Sequence, residues 1–437
     1  MSDLKRKILS LAIPAALNNF LDTIQLLIDM LMVGKISPEA IAAVGLSGQL
    51  IILIYAFLST FYVGTNALVS RFYGAKEYKK ADKTVFNTVI LSLFFSIPFF
   101  IFSYFYNHIF FSFMGVNKEV LSLGNEYISI LSFSIPFLFI GSVLYSALNA
   151  SGDTKTPLFI GIFTNILNTA LNYCLIFGNC GFPKLGVSGA ALATAISYIL
   201  EVIIYIFIFF FKLKKISFYP EFSLDLIKRV LKVGIPAGLE KVISFSSFLI
   251  FVKIIASFGT YTLAGYQIGL RIEGLAFMPG FGFAVAAMVL VGQYLGAKDP
   301  KKAEESAIET TKIASIFMGF IGIILILFPE PLVNIFTNDK KTIEEASLYL
   351  KIVGITQVPL AVEFVINGAL RGAGATKITL IINNFSFWVF RIIPSFLAFW
   401  FLKGIIFVYL IMALETYLKA IMLWIIFKKG NWKNLEV

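Results

Sequence analysis

The feature that most constrains this chain is a series of long apolar segments, twelve in all, that follow one another along its 437 residues. A helix rises 1.5 Å per residue, so about 20 apolar residues cross the ~30 Å hydrocarbon core of a bilayer. Charged residues are only 14% of the chain, against about 25% in soluble domains. The segments are continuous rather than alternating, which disfavours a β-barrel. The sequence therefore predicts an all-α polytopic membrane protein with twelve transmembrane helices.

The predicted spans form two sets of six. The first six lie near residues 8–33, 40–70, 84–106, 120–149, 157–178 and 188–211, and the second six near 231–258, 262–292, 306–328, 344–370, 378–402 and 404–427. The first apolar segment is too long for a signal-peptide core and has no convincing cleavage site. We therefore interpret it as the first span.

Positive charges are distributed unevenly between alternate loops. The net formal charge is +11, and if the N-terminus is cytoplasmic, 23 Lys and Arg residues fall in inside segments and six in outside loops. By the positive-inside rule, this imbalance predicts that both termini are cytoplasmic. Because the basic residues occupy short loops between apolar segments, the pattern also argues against nucleic acid as a partner.

The two halves match each other at a constant offset of 222 residues. Six helices per half is an even number, so the halves are parallel repeats, whose substrate sites lie near the membrane midplane. We predict an N-lobe at 1–211, a cytoplasmic linker at 212–230 and a C-lobe at 231–437. The matching prolines, Pro14 and Pro236, are expected to permit bending of spans one and seven. The matching blocks are Ile13-Pro14-Ala15 with Ile235-Pro236-Ala237, Gly74-Ala75-Lys76 with Gly296-Ala297-Lys298, and Lys79-Lys80-Ala81-Asp82 with Lys301-Lys302-Ala303-Glu304.

The chain has too few cysteines and histidines for most disulfide, metal or catalytic sites. Cys174, Cys180 and His108 are the only residues of these types. They form no disulfide framework and no zinc pattern, and they leave no room for a His-based triad. We therefore expect no enzyme and no resident cofactor, and an intramembrane enzyme is the least favoured interpretation.

The first span carries a polar stripe. Asn18, Asp22, Gln25 and Asp29 are spaced at i, i+4, i+7 and i+11, which places them on one face of a helix. Charges at this depth are costly and therefore indicate a function or a buried partner. Either one carboxylate exchanges a proton or a sodium ion, or the acids are held by neighbouring donors in a structural role.

The fifth span offers a possible partner for that stripe. Asn165, Asn168 and Asn172 again share one helix face. Their amide oxygens are suited to binding Na⁺ and their NH₂ groups to holding a carboxylate. The alternative is hydrogen bonding between helices, which is common in membrane bundles.

The second half carries its acids elsewhere. Glu240, Glu273 and Glu363 lie in spans seven, eight and ten and are candidates for a second ion or substrate site. Local charge balance is the alternative for Glu240, next to Lys241, and for Glu273, near Arg271. We expect structural or snorkelling roles for four further residues, namely Glu201, Glu415, Arg391 and Lys351.

Several motifs together resemble the MATE (multidrug and toxic compound extrusion) family of prokaryotes, over essentially the whole chain. The motifs are Leu27-Ile28-Asp29-Met30-Leu31-Met32-Val33-Gly34, Arg71-Phe72-Tyr73-Gly74-Ala75, Leu270-Arg271-Ile272-Glu273-Gly274-Leu275, Met278-Pro279-Gly280-Phe281-Gly282, Val291-Gly292-Gln293-Tyr294-Leu295-Gly296-Ala297 and Ala369-Leu370-Arg371-Gly372-Ala373-Gly374. The resemblance implies two six-helix lobes that form a V around a central cavity. It also implies export of amphipathic, often cationic compounds in exchange for H⁺ or Na⁺, across the plasma membrane of a bacterium or archaeon.

The resemblance also implies site residues. The family's first-span acid falls on Asp29, and its fifth-span acid falls on Asn172, which is a departure from the family pattern. A Na⁺ ion would be held by Asp29, Asn168 and Asn172. The family's second-lobe acids lie about one turn from Glu240 and Glu363, which shifts their depth in the membrane.

For partners, we expect amphipathic small molecules and the lipid bilayer, and we expect a monomer. The alternative function is flipping of a lipid-linked oligosaccharide by a related transporter. Such flippases tend to line their cavity with basic residues, whereas the clearest stripe here contains acids and amides. The sequence does not separate H⁺ from Na⁺ coupling.

Overall fold

The computed structural model describes residues 3–214 and 216–436, and within these ranges the regular structure is helical with no β-strand. Side-chain caps fix several helix starts. Ser37 accepts a hydrogen bond from the Ala40 amide, and Asp339 accepts one from the Thr342 amide at 2.9 Å. The helices of the first half are α1 (Asp3–Val33), α2 (Pro38–Gly74), α3 (Tyr78–Phe105), α4 (Asn107–Phe113), α5 (Lys118–Ser132), α6 (Ile135–Ala150), α7 (Lys155–Phe177) and α8 (Val187–Phe210).

The second half repeats this order with two differences. The helix Lys340–Gly372 is continuous where the first half has α5 and α6, and a π-helix at Phe387–Ile392 interrupts the eleventh predicted span. A short 3₁₀ helix at Asn431–Asn434 follows the last α-helix. The helices are α9 (Leu224–Ala256), α10 (Thr260–Gly296), α11 (Pro300–Leu327), α12 (Pro329–Asn334), α13 (Lys340–Gly372), α14 (Thr376–Ser386), α15 (Ile393–Phe401) and α16 (Ile405–Lys429).

Ten segments in the described part of the chain are long and apolar enough to cross a membrane. Helices α5 and α6 meet at a bend of 52° and together make an eleventh. This count is one lower than the twelve spans expected from the sequence. The remaining predicted span, the seventh, lies within α9, whose 33 residues exceed the length that a bilayer requires.

The chain packs as two units that divide at Leu17/Asn18 and at Gly234/Ile235. One unit runs from Asn18 to Gly234, and the other combines the residues up to Leu17 with those from Ile235 onward. The boundaries expected from the sequence, after residues 211 and 230, differ from this division. The first turns of α1 pack with the second half of the chain, and residues 212–234 pack with the first half.

Close backbone contacts explain this division. In one unit the backbone at Gly282 meets α1, where an added Cβ would lie 2.3 Å from the carbonyl oxygen of Ala12. In the other, a Cβ on Gly234 of α9 would lie 2.1 Å from the carbonyl oxygen of Thr60. These residue pairs are equivalent at the offset of 222, so each half contributes the start of its first helix to the other half's unit.

The predicted linker is attached to the start of α3. The Ser217 amide and hydroxyl donate to the two Asp82 carboxylate oxygens at 2.9 and 2.7 Å. Lys214 pairs with Asp153 at 3.2 Å. Burial acts to raise the pKa of Asp153, but hydrogen bonds from Thr156 and the contact with Lys214 outweigh it and hold that pKa below its usual value. Two separate contacts therefore fix the start of the linker.

Candidate functional site

The polar stripes of α1 and α7 face each other within the unit Asn18–Gly234. The Asp29 carboxylate accepts hydrogen bonds from Gln25 Nε2 at 2.7 Å and from Asn172 Nδ2 at 2.6 Å. Gln25 and Asn172 are buried, whereas Asp29 is half-buried. The two faces that the sequence identified separately therefore form one site, with Asp29 as its charged member.

A network of amides surrounds this carboxylate. Asn168 Oδ1 accepts hydrogen bonds from Asn172 Nδ2, at 2.8 Å, and from Gln25 Nε2. Thr169 donates to Gln25 Oε1 at 3.0 Å. Asn172 Oδ1 is buried and has no hydrogen-bond partner among residues 3–214 and 216–436. A buried oxygen without a donor, beside a carboxylate, is an arrangement suited to receiving a proton-bearing group or a cation.

Asp22 forms a second, more open part of the site. Its carboxylate accepts from Asn18 Nδ2 at 3.2 Å and from Asn165 Nδ2 at 3.3 Å, and its side chain is exposed. Glu201, which we expected to be structural, lies within electrostatic range of Asp22. No sequence pattern indicated this proximity, because Glu201 stands alone in the apolar α8.

None of these three carboxylates has a basic partner within salt-bridge distance among the described residues, in contrast to Glu240, Glu363 and Glu415 of the second half. Amide donors hold Asp22 and Asp29, but amides do not neutralise a charge. An unpaired carboxylate in a low-dielectric environment is stabilised by a bound cation or by a proton. The site is therefore chemically suited to exchanging one of the two.

Glu240 is balanced by a residue that the sequence did not identify. Its Oε1 accepts from Arg371 at 2.6 Å and from Asn383 at 2.7 Å, and its Oε2 accepts from Thr379 at 2.8 Å. The charge-balance interpretation thus fits the geometry, but the partner is Arg371 of α13 rather than the adjacent Lys241. Sequence distance hid this contact, which spans 131 residues.

Glu363 belongs to a buried ionic network. Lys419 lies 3.0 Å from Glu363 and 3.2 Å from Glu415, and Arg391 Nε donates to Glu415 at 3.0 Å. Arg391 comes from the π-helix, whose wider turn is often found at functional or strained positions. Two acids and two bases balance one another in charge here, although Glu363 Oε2 is buried and has no hydrogen-bond partner among the described residues.

Glu273 and the two prolines complete the predicted set. The Glu273 carboxylate is buried and accepts a hydrogen bond from the Tyr349 hydroxyl rather than contacting Arg271. Pro14 and Pro236 lie inside α1 and α9, which continue through them. Both prolines lie within a few residues of the points where the two packing units divide, and the expected bending stays a prediction.

The structural repeat places a protein cation where the first half has its candidate ion site. Asp29 is equivalent to Phe251 at the offset of 222, and the Arg391 guanidinium lies 5.6 Å from the centre of the Phe251 ring. The two halves therefore differ in chemistry at the same position of one scaffold. Asp29, in the first half, is a carboxylate without a basic partner among the described residues, whereas its equivalent Phe251 lies beside the Arg391 cation.

Comparisons with known proteins agree with this architecture. The sequence model of the MatE family matches residues 14–174 and 236–397, one match in each half. A probable multidrug resistance protein NorM of Thermotoga maritima is 32% identical over 441 residues, covering 100% of this chain and 94% of the relative. A probable multidrug resistance protein NorM of Bacillus licheniformis is 26% identical over 389 residues, covering 88% of this chain and 86% of the relative.

Solved structures share the fold. A MOP superfamily transporter from Pyrococcus furiosus superposes with a TM-score of 0.92 at 22% identity, covering 99% of this chain and 98% of the other. The MATE transporter VcmN of Vibrio cholerae gives a TM-score of 0.92 at 19% identity, covering 99% of both chains. The predicted fold class is thereby confirmed.

Proposed function

The chain belongs to the MatE family of multi-pass membrane transporters, and from that premise we propose that it is a secondary active multidrug efflux antiporter. It exports amphipathic, often cationic compounds in exchange for H⁺ or Na⁺. Exchange proceeds by alternating access, in which the protein exposes its sites to one side of the membrane and then to the other.

The observation that carries the proposal is the Asp29 site. Its carboxylate is held by Gln25 and Asn172 at 2.7 and 2.6 Å, and no base among the described residues neutralises it. Intramembrane carboxylates of this kind mark proton relays and ion pathways in transporters. The names of the relatives, probable multidrug resistance proteins, support drug export as the transported reaction.

Coupling follows from the charge of the site. A bound proton or Na⁺ neutralises Asp29 and lowers the free-energy cost of burying this carboxylate. Because the carboxylate is buried to a different extent in the two conformations of the transporter, the bound ion favours one of them. A ligand shifts such an equilibrium only by its differential affinity for the two states. Asp22, with Glu201 nearby, is exposed and available to an organic cation or to a second coupling ion.

The test is transport by purified protein in proteoliposomes. Drug uptake is driven by a proton gradient in one arm and by a Na⁺ gradient in the other, and the coupling ion is measured at the same time. We expect wild-type protein to respond to one gradient and Asp29→Asn to lose gradient-driven transport by at least about tenfold, since deleting an essential ion site removes coupling rather than binding alone.

Asp225→Asn is the matched control. Asp225 lies on the first turn of α9 with a side chain that is 77% exposed, outside any site described above. If Asp29→Asn couples transport to the gradient as well as wild type does, Asp29 is not the ion site. If the wild-type protein transports no drug under either gradient, the proposal of antiport is wrong.

Proteoliposomes of the same kind can also test the flippase alternative. The site described here contains carboxylates and amides without a base among the described residues, which does not favour a lipid pyrophosphate as its ligand. Scrambling of a fluorescent lipid-linked oligosaccharide by the protein, with no drug transport, would support the alternative.

A further inference from the structure

A lysine lies in the middle of a predicted span. Lys241 is close to the centre of α9, a helix of 33 residues. At 1.5 Å per residue, roughly 25 Å of helix extends to either side of it. A lysine side chain is too short to bring its ammonium group to the membrane surface from that depth. The position is costly for a charge, so it needs a physical reason.

The neighbouring carboxylates form their ion pairs with other bases. Glu240 holds Arg371 at 2.6 Å and uses its other oxygen for Thr379. Glu363 pairs with Lys419 through Oε1 at 3.0 Å, and its Oε2 has no hydrogen-bond partner among the described residues. Glu240, Glu363 and Arg371 all act on the charge of Lys241 at longer range. Within residues 3–214 and 216–436, no carboxylate lies within salt-bridge distance of the Lys241 ammonium group. The cluster formed by Lys241, Glu240, Arg371, Glu363 and Lys419 therefore has a surplus of one positive charge.

The side of the helix indicates what Lys241 faces. At 100° per residue, Lys241 lies roughly 150° from the centre of the exposed apolar stripe of α9. It is exposed and shares its side with the half-buried Ser244, Phe245 and Phe248. The stripe consists of Ile235, Leu239, Ile243, Leu249 and Ile250. Lys241 is therefore turned away from the face suited to lipid and lies on a surface that combines a cation, a hydroxyl and two aromatic rings.

A second donor lies in the same cluster. Arg371 Nε is buried and has no hydrogen-bond partner in the described part of the chain. Resting on the efflux function proposed above, we propose that Lys241 binds the carboxylate of zwitterionic amphipathic substrates. One carboxylate balances the surplus charge, and the rings of Phe245 and Phe248, on the same side of α9, are suited to the planar apolar part of such a substrate.

The experiment compares a zwitterionic fluoroquinolone with its methyl ester, which keeps the amine and lacks the carboxylate. Efflux of both is measured in proteoliposomes with wild-type protein, Lys241→Gln and Lys241→Arg. We expect Lys241→Gln to raise KM for the free acid about tenfold relative to the ester, which is the usual size of a lost charged hydrogen bond. Lys241→Arg should restore the wild-type ratio.

Lys377→Gln, at an exposed lysine of α14, is the matched control and should leave the ratio of the two KM values unchanged. Equal losses for acid and ester in Lys241→Gln, or no change in either, would overturn the proposal. Equilibrium binding of both compounds to purified protein keeps the two proposals separate. Wild-type protein that binds both compounds but exports neither contradicts efflux, whereas an unchanged ratio of Kd values in Lys241→Gln contradicts carboxylate binding.

Discussion

At the scale of single residues, the part of the site around Asp29 is built from one charge and several amides. Gln25, Asn168 and Asn172 are joined by hydrogen bonds and leave Asp29 as a charged group without a basic partner among the described residues. Helical spacing was sufficient to predict each stripe, because one face of a helix is defined by sequence alone. It was not sufficient to predict that Glu240 pairs with Arg371, since that contact joins two helices distant in sequence.

Asn172 stands where the family pattern has an acid, and this difference leads to a prediction. In Asn172→Asp, a second carboxylate replaces the amide that now donates to Asp29 at 2.6 Å. Two carboxylates in contact repel each other unless a proton or cation lies between them. The thermal stability of the purified variant should therefore rise more steeply with added Na⁺, or with acidification, than that of wild type. Melting curves across a series of Na⁺ concentrations and pH values provide the measurement.

Asn165→Asp is the matched comparison, because Asn165 donates to the exposed Asp22 at the longer distance of 3.3 Å. Water screens that pair, so its dependence on Na⁺ and pH should be weaker. Identical melting behaviour of Asn172→Asp and wild type in every condition would show that the amide of Asn172 does not contact Asp29.

At the scale of elements, glycines set the distance between helices α10 and α13. A Cβ at Gly368 would lie 2.3 Å from the carbonyl oxygen of Ala284, a backbone atom that cannot rotate away. Close helix contacts through small residues are a general device of membrane bundles. Gly368→Ala should destabilise the protein by about 1–3 kcal/mol because the helices must separate. Thermal or denaturant unfolding in detergent measures the loss.

Gly274→Ala is the matched control, since nothing lies within 4 Å of a Cβ at that position of α10. Alanine favours a helix over glycine by up to about 1 kcal/mol, so this variant should be as stable as wild type or slightly more stable. Equal destabilisation of both variants would show that helix propensity, and not the contact, controls stability.

Each half uses an acid near the start of its third span to hold the end of its sixth span or the segment that follows it. Asp82 holds Ser217 of the linker. Its equivalent Glu304 holds Lys428 at 2.9 Å and Lys433 at 2.6 Å. The sequence repeat predicted that Asp82 and Glu304 are equivalent, but their shared role appears only in the structure, because their partners are different residue types.

Glu304→Gln should therefore release the C-terminal residues near Trp432, which is buried at 1% exposure. Neutralising the carboxylate removes two ion pairs at once, and pairs that share one acid support each other more than isolated surface pairs do. Limited proteolysis or hydrogen exchange of the C-terminal residues should be faster. The neighbouring exposed Glu305→Gln is the control. If the C-terminal residues exchange hydrogen equally fast in both variants, Glu304 does not attach them.

At the scale of the whole molecule, a symmetric scaffold carries asymmetric chemistry. The offset of 222 preserves helix order and the exchange of first-helix starts between the packing units. It does not preserve charge: Asp29 has Phe251 as its equivalent, and the Arg391 guanidinium lies against that ring. The second half therefore contains a fixed cation at this position, where the first half has a carboxylate without a basic partner among the described residues. This difference is consistent with the proposed coupling site in the first half and with the ion-paired network in the second.

The orientation of the molecule makes the last prediction. By the positive-inside rule, the unequal distribution of basic residues predicts that the loop between α7 and α8 lies outside and the turn between α2 and α3 inside. Cys180 lies in that outer loop and is exposed. A membrane-impermeant maleimide should therefore label Cys180 in intact cells, and Cys180→Ser should abolish the labelling. A cysteine introduced by Glu77→Cys, in a Cys174→Ser and Cys180→Ser background, should react only after the membrane is permeabilised. The reverse labelling pattern would contradict the predicted topology, and it would reverse the direction of ion entry to Asp29 in the proposed antiport.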